Sequence, residues 1–100
     1  MNSQSNPENI VDYIITTGDK AMLEKRHALG YRGSSNAISL AIGWSRMDCF
    51  LYLLDQGYIV NEDACVEAVV NKDTRFLNIL QERNLFHHSP KVIEIISQLQ

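Results

Sequence analysis

The sequence contains two cysteines, which could act as nucleophiles, and three histidines, which could act as their bases. Two groupings suggest a thiol–imidazole pair: Cys49 with His27, and Cys65 with His87 and His88. Such a nucleophile needs an electropositive, partly exposed setting and an oriented base. Both cysteines instead stand among apolar residues of predicted helices. We therefore expect buried, inert thiols and no enzymatic activity.

Metal and cofactor sites are not expected either. A zinc site needs about four ligands, whereas the cysteines and histidines are scattered over the chain. His87-His88 has no cysteine or carboxylate at ligand spacing. The motifs GxxxxGK, GxGxxG, HExxH and GxSxG do not occur in the sequence. The sequence predicts neither a metal site nor a cofactor.

Composition indicates one small globular domain. The 100 residues are 45% hydrophobic and 21% charged, with a net charge of −3. That charge argues against a general nucleic-acid binder, which needs a basic face. The first residues, MNSQSNPEN, lack the basic and apolar regions of a secretion signal, and no apolar run is long enough to cross a membrane. Two cysteines are too few for a disulfide framework, so a cytoplasmic location is expected.

The sequence repeats with a period of 27 residues, and this repeat predicts the elements that position the side chains named above. Gly30-Tyr31 recurs as Gly57-Tyr58, and Asn84-Leu85 stands the same distance further on. The same register aligns further apolar residues: Ile15, Ile42 and Val69; Leu23, Phe50 and Leu77; Leu53 and Leu80; Ala37 and Ala64; Ala41 and Ala68. This register divides the chain into three units, 9–35, 36–62 and 63–89, followed by a capping helix over 90–99.

Each unit is predicted to contain two short helices. In the second unit these cover 37–42 and 47–56, joined by a turn at 44–46. Gly57 suits the left-handed position that ends a helix, and Asn84 replaces it in the third unit. There, Asp63 and Asp73 are expected to cap the two helices.

The first unit is expected to begin at Asn6-Pro7-Glu8, a cap followed by proline at the first helical position. Its second helix, 19–29, is more polar, with Lys25, Arg26 and His27 where later units carry apolar residues. A terminal unit with one solvated face has this composition. The basic residues collect in this unit and acidic ones in the next two, a pattern that either steers a partner or reflects solvated faces.

The alternation of side-chain size predicts how the units stack. The first helices carry alanines and the second helices carry leucine and phenylalanine. Small residues on one side and large ones on the other bend a stack into a concave and a convex face. The predicted fold is therefore an all-α solenoid of helix–turn–helix repeats.

The second unit, NAISLAIGWSRMDCFLYLLDQGYIVN, resembles an ankyrin repeat, whose consensus is TPLHLAAxxGHxEIVKLLLxxGADVN. Leu40-Ala41 and Leu53-Leu54 fall on consensus positions, and Gly57, Val60 and Asn61 match the consensus outright. Consensus TPLH is absent from the full units. The units are also shorter than the family's, which run about 33 residues. The missing residues are those of the β-hairpin finger, as in some divergent viral and intracellular-parasite members.

The resemblance implies a protein-binding function that needs no chemistry and no cofactor, with the concave helix surface as the contact. Members that bind partners often vary the two residues before the helix-turn glycine, which correspond here to Thr16 and Thr17, Gly43 and Trp44, and Val70 and Asn71.

Trp44 is the strongest of these candidates, since tryptophan is enriched at binding hot spots. The alternative is that its ring folds onto Tyr31 or Met47 as part of the core. Tyr31 and Tyr58 are expected to be structural and to fill space left by the missing fingers.

Two functions remain open at this stage. The first is a small intracellular interaction module that blocks or adapts another protein, for example a viral or phage protein acting on a host factor. The second is a self-associating structural protein, most simply a homodimer. Neither nucleic acid nor membrane is an expected partner.

Overall fold

The computed structural model describes residues 9–99, which form seven α-helices and no strand. The helices are α1 (Ile10–Thr17), α2 (Lys20–Ala28), α3 (Ala37–Gly43), α4 (Met47–Asp55), α5 (Glu62–Val70), α6 (Arg75–Glu82) and α7 (Pro90–Leu99). The all-α prediction is thus confirmed over this range. The expected start at Asn6-Pro7-Glu8 lies outside the described residues.

Consecutive helices pack in pairs: α1 with α2, α3 with α4, and α5 with α6. The odd-numbered helices also form a row, because α1 contacts α3, α3 contacts α5 and α5 contacts α7. We call α1, α3, α5 and α7 the odd row. Among the even-numbered helices, α2 contacts α4. The molecule measures 42 × 35 × 20 Å and is therefore a flat slab.

The predicted difference in side-chain size is seen between α3 and α5 of the odd row and the even-numbered helices α4 and α6. The facing helices α3 and α5 each bury two alanines, at most 1% exposed: Ala37, Ala41, Ala64 and Ala68. Methyl side chains let neighbouring helices approach closely. The even-numbered helices α4 and α6 instead bury Phe50 and Phe76, whose rings meet edge to face with centroids 5.0 Å apart. An aromatic pair in this geometry contributes packing energy beyond its buried area.

The ends of α2, α4 and α6 share one backbone conformation at the spacing of 27. Gly30, Gly57 and Asn84 have φ of +96°, +85° and +58°. At Gly57, its N–H donates to Leu54 O and the next N–H donates to Leu53 O, and the same two bonds recur at Gly30 and Asn84. These bonds satisfy the last carbonyls of each helix. The left-handed helix ends predicted from the sequence are confirmed.

The helix starts of the third unit differ from the prediction. Asn61, not Asp63, caps α5, because its Oδ1 accepts from the Ala64 N–H at 2.9 Å. Asp63 lies in the first helical turn, where its negative charge interacts favourably with the positive end of the helix dipole. Helix α6 begins after Thr74, although Asp73 Oδ1 accepts from the Arg75 N–H at 3.1 Å.

Candidate functional site

The structure brings the six sequence-predicted contact residues to one edge of the molecule, at the carboxyl ends of α1, α3 and α5. Trp44 is 55% exposed and Val70 is 50% exposed. Thr17 and Gly43 are also exposed. We call the surface formed by Thr17, Gly43, Trp44 and Val70 the Trp44 surface.

Two polar side chains, Arg46 and Asn71, fix the three helix ends relative to one another. Arg46 donates from Nε and Nη2 to the carbonyl oxygen of Thr16, at 3.0 and 2.7 Å. Asn71 donates from Nδ2 to Ile42 O at 2.8 Å, and its Oδ1 accepts from the Asp73 N–H. Each bond ties the end of one odd-row helix to the turn that follows the next. The side-chain amide of Asn71, a predicted contact residue, is therefore engaged in hydrogen bonds that hold this edge together.

The two threonines have their hydroxyl donors satisfied within α1. Thr16 Oγ1 donates to Tyr13 O and Thr17 Oγ1 donates to Ile14 O, both at 2.6 Å. As a residue, Thr16 is the less exposed of the two. Their contribution to this edge is therefore mostly that of methyl groups. The surface is apolar in character, with Trp44 as its largest side chain.

The alternative position for Trp44, in the core against Tyr31 or Met47, is not adopted. More than half of the side chain is open to solvent. Trp44 occupies the C-cap position of α3, and the next residue, Ser45, has the left-handed φ of 58°. This turn directs the chain into Arg46, which makes the anchoring bonds to α1. The ring is thus presented on a constrained turn.

A second polar cluster, which the sequence did not predict, anchors the loop at 31–36. Tyr58 OH accepts from the Gly33 N–H at 2.7 Å and pairs with His27 Nε2 at 2.7 Å. Asp12, only 4% exposed, accepts from both the N–H and the hydroxyl of Ser34. Backbone groups that a longer loop would pair internally are satisfied here by side chains.

This cluster confirms a structural role for Tyr58 and corrects the expectations for Tyr31 and His27. Tyr31 is 47% exposed, with the guanidinium of Arg26 over its ring at 5.6 Å, so it fills no interior space. His27 is 7% exposed rather than solvated, because it stacks on Tyr58. Its Nδ1 has no hydrogen-bond partner among residues 9–99.

The cysteines are both fully buried, as predicted. Burial raises the pKa of each thiol above its ordinary value. His27 pairs with Tyr58, and the contact between His87 and Cys65 runs from the backbone N–H to Sγ at 3.3 Å. No imidazole is therefore placed to deprotonate either thiol in the described part of the chain. A raised pKa keeps a thiol protonated and weakly nucleophilic.

The described residues also line two open grooves. One, of 380 Å³, lies between α4 and α6 and is lined by Met47, Leu51, Arg75, Asn78, Ile79 and Glu82. The other, of 240 Å³, lies between the loops around Ser34 and Ile59. Within residues 9–99, no three or more Cys, His, Asp or Glu side chains are grouped as metal ligands would be. Over the same range, every helix is too short or too polar to span a bilayer.

Comparison with known proteins gives no relative. No protein-family model matches the chain, no curated protein matches it, and no solved structure matches it.

Proposed function

We propose that this chain is an ankyrin-like helical repeat module that binds another protein through the Trp44 surface, and that it blocks or adapts that protein. Support for the repeat comes from the helix ends that recur every 27 residues and from the odd row of packed helices. Stacked units of this kind bind partners along one face of the row. The two buried, unpaired thiols fit a reducing compartment such as the cytoplasm.

The single observation that carries the proposal is the exposure of Trp44 on a fixed edge. Tryptophan is costly to leave in water, and the exposed half of this side chain is not needed by the core. Arg46 and Asn71 hold the neighbouring helix ends in place. A partner would therefore meet a surface that is already ordered, and little conformational entropy would be lost on binding.

The test compares two exposed apolar side chains. Trp44→Ala should abolish capture of the partner from the native cell without lowering the melting temperature. Ile59→Ala is the matched control. Ile59 is 81% exposed, but it lies in the loop at 58–61, before α5 and away from the carboxyl ends of α1, α3 and α5. Proteins retained by wild type and Ile59→Ala but lost with Trp44→Ala are the specific partners. If the Trp44 variant retains every protein that wild type captures, Trp44 is not in the site.

Self-association is the second candidate, and it is favoured by apolar residues at both ends of the odd row. Ile10 and Tyr13 on α1 are 43% and 45% exposed, and Ile93 and Leu99 on α7 are 50% and 60% exposed. Two copies could bury such faces in a two-fold dimer. Light scattering decides the matter, because a mass that stays at 11.4 kDa at every concentration argues against the dimer.

A further inference from the structure

A carboxylate lies within the Trp44 surface. A Cβ atom placed on Gly43 of α3 would stand 3.3 Å from Oε1 of Glu67, so the Glu67 side chain extends from α5 across to the end of α3. Gly43 is followed directly by Trp44, and Glu67 precedes Val70 by less than one helical turn. The carboxylate therefore lies beside Gly43, the chain neighbour of Trp44, and on the same face of α5 as Val70.

Within residues 9–99, Glu67 has no hydrogen bond and no ion pair, although its side chain is half-buried. Within the described residues, no ion pair joins it to Arg46, Lys72 or Arg75 on the adjoining turns. Arg46 directs Nε and Nη2 to Thr16 O on the other side of α3. Arg75 pairs with Asp73 at 2.6 Å.

A partner that covers Trp44 and Val70 would also remove water from this carboxylate. Burying an unpaired charge is strongly unfavourable, so a partner that supplies a cation is favoured over one that does not. Arginine suits the position better than lysine, because its planar guanidinium forms two parallel bonds to a carboxylate and stacks on an aromatic ring. The same chain already places Arg26 over Tyr31 in this way.

We propose that the Trp44 surface binds a protein segment carrying an arginine next to an apolar side chain. The guanidinium pairs with Glu67 and stacks on Trp44, while the apolar neighbour packs on Val70. This inference rests on the proposed binding function and specifies the chemistry of its partner.

The experiment uses random linear peptides displayed on phage, selected on the full chain and counter-selected on Trp44→Ala. Selected peptides should share an arginine beside an aliphatic or aromatic residue. Fluorescence polarisation of a labelled peptide should then show an affinity about 10-fold or more weaker for Glu67→Gln, the loss typical of a charge-assisted hydrogen-bonded pair. Replacing the peptide arginine by alanine should weaken wild type by a similar factor and Glu67→Gln much less.

Glu24→Gln is the matched control, because Glu24 is an exposed glutamate on α2 that pairs with Lys20, at 3.8 Å. It should bind the peptides as wild type does, and all variants should keep the wild-type melting temperature. Peptides that depend on Trp44 but contain no arginine, or that bind Glu67→Gln with unchanged affinity, overturn the arginine inference and leave the binding function standing. If no peptide survives the counter-selection, the arginine inference is wrong, and the binding function is decided separately by the capture experiment with Trp44→Ala.

Discussion

Replacing Tyr58 with phenylalanine should destabilise the fold by about 2–4 kcal/mol, a large loss for the removal of one oxygen atom. The hydroxyl accepts from the Gly33 N–H and pairs with His27 Nε2, both at 2.7 Å. The ring itself would remain, so apolar burial and the stacking on His27 are conserved. The loss of stability in this variant therefore comes from the two hydrogen bonds.

The magnitude follows from the groups left without partners. An unsatisfied buried donor or acceptor costs about 1–3 kcal/mol. Gly33 is half-buried, which favours the low end for its N–H, whereas His27 is only 7% exposed and already has an unpartnered Nδ1. A domain of this size has about 5–15 kcal/mol of stability in total. The loss is therefore readily measured.

The assay is urea unfolding near neutral pH, with the transition midpoint and its slope fitted for each variant. Tyr31→Phe is the matched control, because Tyr31 stands 27 positions earlier, follows Gly30, and donates or accepts no hydrogen bond through its hydroxyl among residues 9–99. It should lose less than about 0.5 kcal/mol, as exposed substitutions usually do. If Tyr58→Phe is as stable as Tyr31→Phe, the loop at 31–36 is not anchored through this hydroxyl and the reasoning is wrong.

Three further perturbations test the core, the buried histidine and the thiols. Phe50→Ala should lose about 3–5 kcal/mol, because it leaves a cavity against Phe76; a smaller loss by urea unfolding would show that the space is refilled. Burial, followed by the charge of Arg32, lowers the pKa of His27 below its ordinary value of 6.5. As the pH falls, the unfolded chain thus takes up the proton first, and the free energy of unfolding should fall as pH drops below 6.5. His27→Gln should reduce this pH dependence. An unchanged pH dependence in the variant would show that His27 is not its cause. Both cysteines, being fully buried, should react with a thiol reagent only after unfolding; reaction in the native protein would contradict their burial.

The helices and their ends could be predicted from the sequence because local chemistry determines them. A left-handed residue is required where a helix stops abruptly, and glycine and asparagine adopt that conformation most readily. Gly57 and Asn84 therefore marked two helix ends correctly. The apolar spacing of α4, with Phe50 and Leu53 buried, likewise follows from the helical period.

Cap choice was less predictable, because several residues compete for one position. Asn61 and Asp63 are both good caps, and they lie two residues apart. Asn61 prevails with a bond that no local pattern contains: its Nδ2 donates to Ser35 O at 2.9 Å in the preceding loop. A carboxylate cannot donate this bond, so Asp63 could not replace it.

The cluster around Tyr58 could not be predicted, since its members are far apart in the chain. Asp12 binds Ser34, 22 residues away, and Tyr58 binds His27, 31 residues away. The only signal was Asp12 itself, a charged residue between Val11 and Ile14 on an otherwise apolar helix face. A carboxylate in that position requires donors, but the sequence does not say which loop supplies them.

Several polar bonds of the fold join neighbouring units, and this placement bears on binding. At one edge, Arg46 and Asn71 join successive ends of the odd row. At the loops, Tyr58 bonds Gly33 and Asn61 bonds Ser35. Bonds of this kind stabilise a unit only when its neighbour is folded, so they make the units unfold together. The bond from Asn71 to Ile42 also keeps Trp44 and Glu67 at a fixed separation, because it joins the end of α5, which carries Glu67, to the end of α3, which Trp44 follows. A surface that must accept an arginine and an apolar side chain at once depends on that fixed separation, because a misplaced pair could satisfy only one of them.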